Sequence, residues 1–156
     1  MTVKKLISIV IILFGMVALI ALAMGLYSQH LPEPDMLNGK LRVCPDKPNC
    51  VCSENYGPES RNRIQPLPVS GEDRKQMWAR LIATVKANGG EIRQQTDTYL
   101  HATFTSSLLR FVDDVEFRLD TEHHQLHARS ASRVGYSDFG VNRKRIEKIR
   151  DAFEKR

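Results

Sequence analysis

The amino-acid sequence predicts an α+β protein. An N-terminal transmembrane helix precedes a small two-layer domain made of a helix, a four-stranded antiparallel sheet and a C-terminal helix. Three observations support this prediction: an uncharged run over residues 6–27, two later segments with apolar residues at helical spacing, and four strand-like segments between them. The 156 residues, 42% of them hydrophobic, suffice for one domain after the run and argue against disorder.

The apolar run is 22 residues long and follows Lys4 and Lys5. A helix of this length crosses about 30 Å of hydrocarbon. The lysines favour a cytoplasmic N-terminus, so the domain is expected to be extracytoplasmic, and periplasmic in a Gram-negative cell. A cleaved signal peptide is the alternative, because Ala21-Leu22-Ala23 has the small-x-small form. The run exceeds the usual signal-peptide core, so an uncleaved signal-anchor over residues 1–27 is expected. The chain has no second run of this kind, which excludes a multi-span transporter.

Residues 28–64 are predicted to be an extended tether with a cysteine turn. Each proline restricts its own φ and the preceding residue, which makes a helix improbable here. The prolines of the segment are Pro32, Pro34, Pro45, Pro48 and Pro58. We expect the tether to lie along a domain formed by residues 65–156.

Three cysteines, Cys44, Cys50 and Cys52, fall within nine residues. An oxidising compartment favours a Cys44–Cys50 disulfide, which would close a small turn rich in proline and asparagine. The alternative is a metal or redox site in which Cys52 or a histidine takes part. Because this spacing is not a usual zinc pattern, no metal or other cofactor is expected.

The first helix of the domain is predicted to begin near Ser70, with Ser70 as the N-cap and Asp73 in the third position. Its apolar stripe ends at Gly89-Gly90 and consists of Met77, Trp78, Leu81, Ile82 and Val85. The predicted strands are residues 91–96, 99–105, 114–120 and 125–131. The last helix, residues 142–154, presents Ile146, Ile149 and Phe153 on one stripe.

Alternation along the strands gives the sheet one apolar and one polar face. Antiparallel sheets commonly leave one face in water, so we expect the polar face to be solvated. Its residues are Tyr99, His101, Thr103, Asp114, Glu116, Arg118, His127 and Arg129. Asp113 shares parity with the apolar face, where a buried carboxylate needs a partner such as Arg110 or Arg133.

The net charge of +5 is concentrated in the C-terminal segment. Residues 129–156 contain 9 basic and 4 acidic side chains, whereas residues 28–128 contain 12 and 14. Polar donors beside a helix N-terminus favour anions. A ligand-binding site is therefore predicted at Arg129, Ser130, Ser132, Arg133, Asp138, Asn142, Arg143 and Arg145, with Asp138 ordering the arginines. A solvated amphipathic helix is the structural alternative.

These features predict a membrane-anchored extracytoplasmic accessory module that binds an anionic lipid, another anionic ligand or an envelope protein. The outward topology argues against nucleic acid. An envelope hydrolase is the alternative, using Asp113, Asp114 or Glu116 with His101 or Arg110. No catalytic residue is assigned, because Walker, His-Glu-x-x-His and Gly-x-Ser-x-Gly motifs are absent.

Four stretches resemble the domain-of-unknown-function family numbered 1499. They are Cys44-Pro45 through Pro48-Asn49-Cys50-Val51, Tyr99-Leu100-His101-Ala102, the stretch from Arg110-Phe111-Val112-Asp113 to Phe117, and residues 129–145. The resemblance implies an envelope or organelle-membrane setting and no established activity. The chain departs from the family pattern at Cys52, where the family usually has serine.

Overall fold

A computed structural model of the protein describes residues 2–54, 60–69 and 73–155. The helices are α1 (Val3–Gln29), α2 (Arg74–Ala87) and α3 (Val141–Glu154). The strands are β1 (Cys50–Cys52), β2 (Leu67–Pro68), β3 (Glu91–Gln95), β4 (Tyr99–Thr105), β5 (Val112–Asp120) and β6 (Gln125–Ser132). The predicted α+β class is confirmed. The sheet has two additional strands, β1 and β2, which are too short to show a periodic pattern.

Helix α1 is long and apolar enough to cross a membrane, with a mean hydropathy of 3.1 over its most apolar window. Its side chains are exposed along almost the whole length, and only Gly25 and Ser28 near its end are buried. A signal sequence has the same length and composition, so α1 is suited to either role.

The sheet is antiparallel, with the order β1-β6-β5-β4-β3 and with β2 also paired to β6. The four predicted strands are β3 to β6. Strand β5 begins at Val112, two residues earlier than predicted, so Asp113 lies within the sheet opposite Ser132.

Helix α2 begins one turn later than the sequence pattern predicts. Asp73 is its N-cap, and its carboxylate accepts hydrogen bonds from the backbone N–H groups of Lys75 (2.8 Å) and Gln76 (3.3 Å). The expected third-position role of Asp73 is therefore wrong, and Ser70 lies outside the described residues. Gly89, with a φ of 89°, follows the helix where a left-handed backbone is needed.

Helices α2 and α3 cover the apolar face of the sheet, as the alternation predicts. The stripe residues Leu81, Val85, Ile146 and Ile149 are fully buried in this core together with Phe153. This is the two-layer arrangement that lets one sheet face and two helical stripes leave water together.

The polar face of the sheet is not solvated, which corrects the prediction. Residues 30–49, here called the connector, run from α1 to β1 beside this face. Leu41, Cys44 and Met36 of the connector pack with Tyr99, Cys50 and other residues in a second apolar cluster. The connector, which is part of the predicted tether, therefore forms a third layer that shields the polar face from water.

Candidate functional site: a buried charge layer and a basic groove

Between the sheet and the connector lies a layer of paired polar side chains, called here the charge layer. Its members are Tyr99, His101, Asp114, Glu116, Arg118, Arg129 and Arg133, together with Glu54 from the segment after β1. Glu116 and His101 are fully buried, and Asp114 and Arg129 are nearly so. A buried charge is tolerated only when it is paired and hydrogen-bonded, so the partners decide whether this layer is stable.

One group of the charge layer is centred on Asp114. Its carboxylate receives two hydrogen bonds from Arg133, at 2.8 and 2.9 Å, and one contact of 2.8 Å from His101 Nε2. Burial pushes the pKa of Asp114 upward, but the bonds from His101 and Arg133 outweigh it and hold that pKa below its ordinary value. Asp114 is therefore a carboxylate at neutral pH.

A second group is centred on Glu116, which occupies the next position on the same face of β5. Arg129 donates to one carboxylate oxygen at 2.5 Å and the Tyr99 hydroxyl donates to the other at 2.9 Å. Burial and the Glu116 charge raise the pKa of Tyr99 far above its usual range, so Tyr99 remains a hydrogen-bond donor.

The third group links the sheet to the chain after β1. Arg118 donates two hydrogen bonds to Glu54, at 2.6 and 3.1 Å, and a third to Asp120 at 3.1 Å. Glu54 also accepts from the backbone N–H of Leu41 at 2.9 Å, so one carboxylate joins the sheet and the connector. Nearby, burial lowers the pKa of His127, whose Nδ1 lies 3.1 Å from the Ser53 hydroxyl.

The eight residues predicted as one ligand site lie on two sides of the sheet. Arg129 and Arg133 belong to the charge layer. On the α3 side, Arg145 pairs with Asp113 at 2.6 Å. The partner of Asp113 is therefore Arg145, and not Arg110 or Arg133 as the sequence suggested. The structure therefore does not bring the four arginines together.

The polar residues of that set join α3 to the sheet. Asn142 is fully buried and hydrogen-bonds to Ser130, to the Ser132 hydroxyl (3.0 Å) and to the backbone carbonyl of Asn49 (3.0 Å). Asp138 accepts from the backbone N–H groups of Gly140, the N-cap of α3, at 2.9 Å and of Asn142 in its first turn at 2.7 Å. Among the described residues it forms no ion pair with an arginine.

The acid–histidine pairing anticipated for a hydrolase exists as His101–Asp114, but burial separates it from solvent. His101 has no exposed surface, and its Nδ1 lies 3.7 Å from a Glu33 carboxylate oxygen of the connector. A catalytic acid or base must come within hydrogen-bond reach of a substrate. The connector occupies the side from which a substrate would approach, so the geometry favours a structural role for this pair.

The three cysteines are divided between a disulfide and a buried thiol. Cys44 and Cys50 form the disulfide, with a Cα–Cα distance of 5.6 Å. Burial raises the pKa of the Cys52 thiol to about 11. Within the described ranges, no group of three or more His, Cys, Asp or Glu side chains is arranged to hold a metal ion.

An open basic groove lies between the chain segment 60–65 and α3. Its cavity volume is about 480 Å³, and it is lined by Ser60, Arg63, Ile64, Gln65, Arg143, Glu147 and Arg150. Arg143 is the one predicted site residue found here. Arg63 and Arg150 were not among the predicted site residues, because only the packing of α3 on a segment distant in sequence places them together.

Two guanidinium groups of the groove are held by backbone carbonyls. Arg143 donates to the carbonyls of Arg61 (2.7 Å) and Arg63 (3.0 Å), and Arg150 donates to that of Pro66 (2.6 Å). A carbonyl orients a guanidinium without neutralising its charge. Among the lining residues that the structure describes, Glu147 supplies the one carboxylate, at 3.2 Å from Arg150, so these residues together carry an excess positive charge.

Fold and site together define a small α+β domain that follows an apolar helix and contains a buried charge layer. The chain belongs to the family described as Protein of unknown function (DUF1499), whose model matches residues 40–153. This match confirms the resemblance seen in the sequence. No curated protein matches the chain.

Proposed function

We propose that the protein is a single-pass, membrane-anchored module of the cell envelope whose extracytoplasmic domain binds an anionic ligand in the basic groove. The groove supports the ligand part of this proposal, because its described residues present three guanidinium groups and one carboxylate. Arginine forks match carboxylate and phosphate groups bidentately.

The membrane part of the proposal is supported by α1 and by the disulfide. Lys4 and Lys5 before the apolar run favour retention of the N-terminus in the cytoplasm. The Cys44–Cys50 disulfide agrees with an oxidising compartment for the domain. Carbonate washing of membranes followed by intact-mass measurement tests this part. A full-length product in the washed membrane supports the anchor, and a soluble product shortened near Ala23 refutes it.

The groove replaces the full set of C-terminal arginines as the proposed ligand site. Arg129, Arg133 and Arg145 are each committed to an internal carboxylate. Releasing one of them for a ligand would leave a buried carboxylate unpaired, which is strongly destabilising. The groove arginines can bind an anion without that penalty.

Arg63→Gln in the full-length protein is the sharpest test of the groove. Arg63 lines the cavity and its guanidinium forms no hydrogen bond or ion pair with the described residues, whereas Arg143 and Arg150 also bind backbone carbonyls. Calorimetric titration in a neutral detergent would use inorganic pyrophosphate as the phosphate probe and citrate as the carboxylate probe. We expect R63Q to lower the affinity for whichever probe binds more tightly by about tenfold, which corresponds to about 1.4 kcal/mol of binding free energy.

Lys148→Gln is the matched control, because it removes one positive charge from α3 outside the groove. We expect K148Q to bind as the unsubstituted protein does. If neither probe binds the unsubstituted protein at millimolar concentration, the anion proposal is refuted. An equal loss in R63Q and K148Q would show that only net charge matters.

A further inference from the structure

Three large apolar side chains of the domain are the most exposed of those described outside α1. Phe139 is 91% exposed, Leu108 84% and Tyr136 65%, the highest values among large hydrophobic residues described outside α1. Scattered exposed apolar residues are ordinary, so these three are informative only through their location.

All three lie in two loops at the same end of the sheet. Leu108 is in the β4–β5 turn, residues 106–111, and the aromatic residues are in the β6–α3 loop, residues 133–140. The end of the β4–β5 turn lies beside the start of the β6–α3 loop, since the backbone N–H of Arg133 donates to the carbonyl of Val112 at 3.1 Å. The turn at the opposite end of β5 and β6 is polar and exposed, residues 121–124.

The same end of the sheet holds the end of α1. The Ser28 hydroxyl of α1 accepts from the backbone N–H of Val112 at 3.1 Å. Arg133 donates to the backbone carbonyls of Ser28 (3.3 Å) and Leu31 (3.0 Å), just beyond the last turn. The domain is thus attached directly to α1, without a free linker.

Helix α1 approaches the backbone of the β4–β5 turn at Gly25. A Cβ atom at this position would lie 1.7 Å from the backbone carbonyl oxygen of Leu109, so only glycine permits the contact. Gly25 lies two residues before Tyr27, the end of the apolar run, which is about 3 Å along a helix axis. The turn that carries Leu108 therefore lies level with the end of the hydrocarbon-spanning segment.

The chemistry of both loops suits the boundary between hydrocarbon and headgroups. Leucine and phenylalanine favour the acyl side, and a tyrosine ring suits the headgroup level. Arg110, which follows Leu109 and is exposed, can extend toward lipid phosphate while its aliphatic part stays apolar.

We infer that the domain rests on the bilayer through a membrane-contact surface formed by Leu108, Arg110, Tyr136 and Phe139. This inference rests on the proposed membrane anchoring of α1. The lipid surface would hold the sheet in one orientation, with the turn at residues 121–124 farthest from the bilayer.

Site-specific labelling of the full-length protein in nanodiscs of neutral lipid tests the inference. Single cysteines would replace Leu108, Phe139, the control Glu122 and the span residue Ile12, each carrying a spin label. The unsubstituted protein provides the background, because Cys52 is buried and the other cysteines are bonded. We expect the ratio of oxygen to nickel-chelate accessibility at positions 108 and 139 to exceed that at 122 several-fold.

The outcomes separate the two proposals. If the labels at positions 108 and 139 are as accessible to water as the label at 122, while the label at position 12 is in lipid, the contact surface is overturned and the anchor is not. A water-accessible label at position 12 overturns the anchor and this inference with it. A label in lipid at only one of the two loop positions overturns the two-loop surface. Ser107→Cys, also exposed in the turn, replaces Leu108→Cys if that variant fails to fold.

Discussion

Two glycines of α1 provide a test of how the helix is joined to the domain. Gly25→Ala places a methyl group against the Leu109 carbonyl, whereas Gly15 has no neighbour within 4 Å. We expect Gly25→Ala to separate the β4–β5 turn from α1 and to cost about 1–3 kcal/mol, the usual penalty of overpacking. Hydrogen exchange should then accelerate at Val112, whose N–H is bonded to Ser28.

Gly15→Ala is the control, because it makes the same chemical change in the same helix. It should leave exchange at Val112 unchanged. Equal exchange in Gly15→Ala and Gly25→Ala would contradict a close packing of α1 on the turn.

Asp114 provides a test of the charge layer at the scale of one side chain. Asp114→Asn leaves Arg133 buried without its carboxylate, since the Arg133 side chain is 6% exposed. Removal of one partner of such a pair costs about 3–5 kcal/mol. Denaturant unfolding of the detergent-solubilised protein at pH 7 would measure this loss, with Glu122→Gln as the exposed control.

The pH dependence of the same pair has a definite sign. Burial alone would raise the pKa of Asp114 in the folded protein. Hydrogen bonds from His101 and Arg133 outweigh burial, so the folded pKa is lowered. The stability that ionised Asp114 contributes to the folded protein is therefore fully present above the unfolded pKa of about 3.9. It is lost as the pH falls through the lower folded pKa. The difference between the unsubstituted protein and Asp114→Asn should shrink in that acid range. A constant difference from pH 7 downward would contradict the assignment.

Strand β1 offers a test at the scale of an element. It places Cys50 and Cys52 on the connector side of the sheet, where one is bonded to Cys44 and the other is a buried thiol. With its pKa raised to about 11, Cys52 has little thiolate near pH 8. We expect iodoacetamide to leave the native protein unmodified and to add one group after denaturation.

Reduction before denaturation should raise the number of modified cysteines from one to three, as mass spectrometry can count. Three modified cysteines without reduction would contradict the disulfide. Modification of Cys52 in the native protein at the rate of the denatured protein would contradict its burial.

The elements differ in how far the sequence predicts them. Strands β4, β5 and β6 were predicted to within two residues, because strict alternation reveals both the strand and its two faces. The same alternation could not reveal what covers the polar face. Glu54 and Arg118 meet across 64 positions of sequence, and no local pattern carries that information.

The candidate site shows the same limit. Arg143 was predicted as a binding residue from local charge, and it does line the groove. Arg129 and Arg133 were predicted on the same ground, but their carboxylate partners come from β5. Charge density along the chain identifies arginines, whereas only the strand register shows which of them are already neutralised.

For the whole molecule, the contacts of the connector determine which residues belong to the folding unit. A boundary at residue 65, as the sequence suggests, would remove Glu54, Leu41 and the Cys44–Cys50 disulfide. It would expose His101 and Glu116, which are fully buried in the protein. We therefore propose that the folding unit begins near residue 28, where Ser28 bonds to β5.

Two fragments test this boundary. Residues 28–156 should unfold cooperatively in urea, because they retain the charge layer and its cover. Residues 65–156 should not, since the loss of Glu54 alone leaves Arg118 without its bidentate partner, and small domains have only about 5–15 kcal/mol of total stability. Dispersed amide resonances would report folding in each fragment. A cooperative transition of residues 65–156 at the same urea midpoint as residues 28–156 would show that the connector covers the sheet without stabilising it.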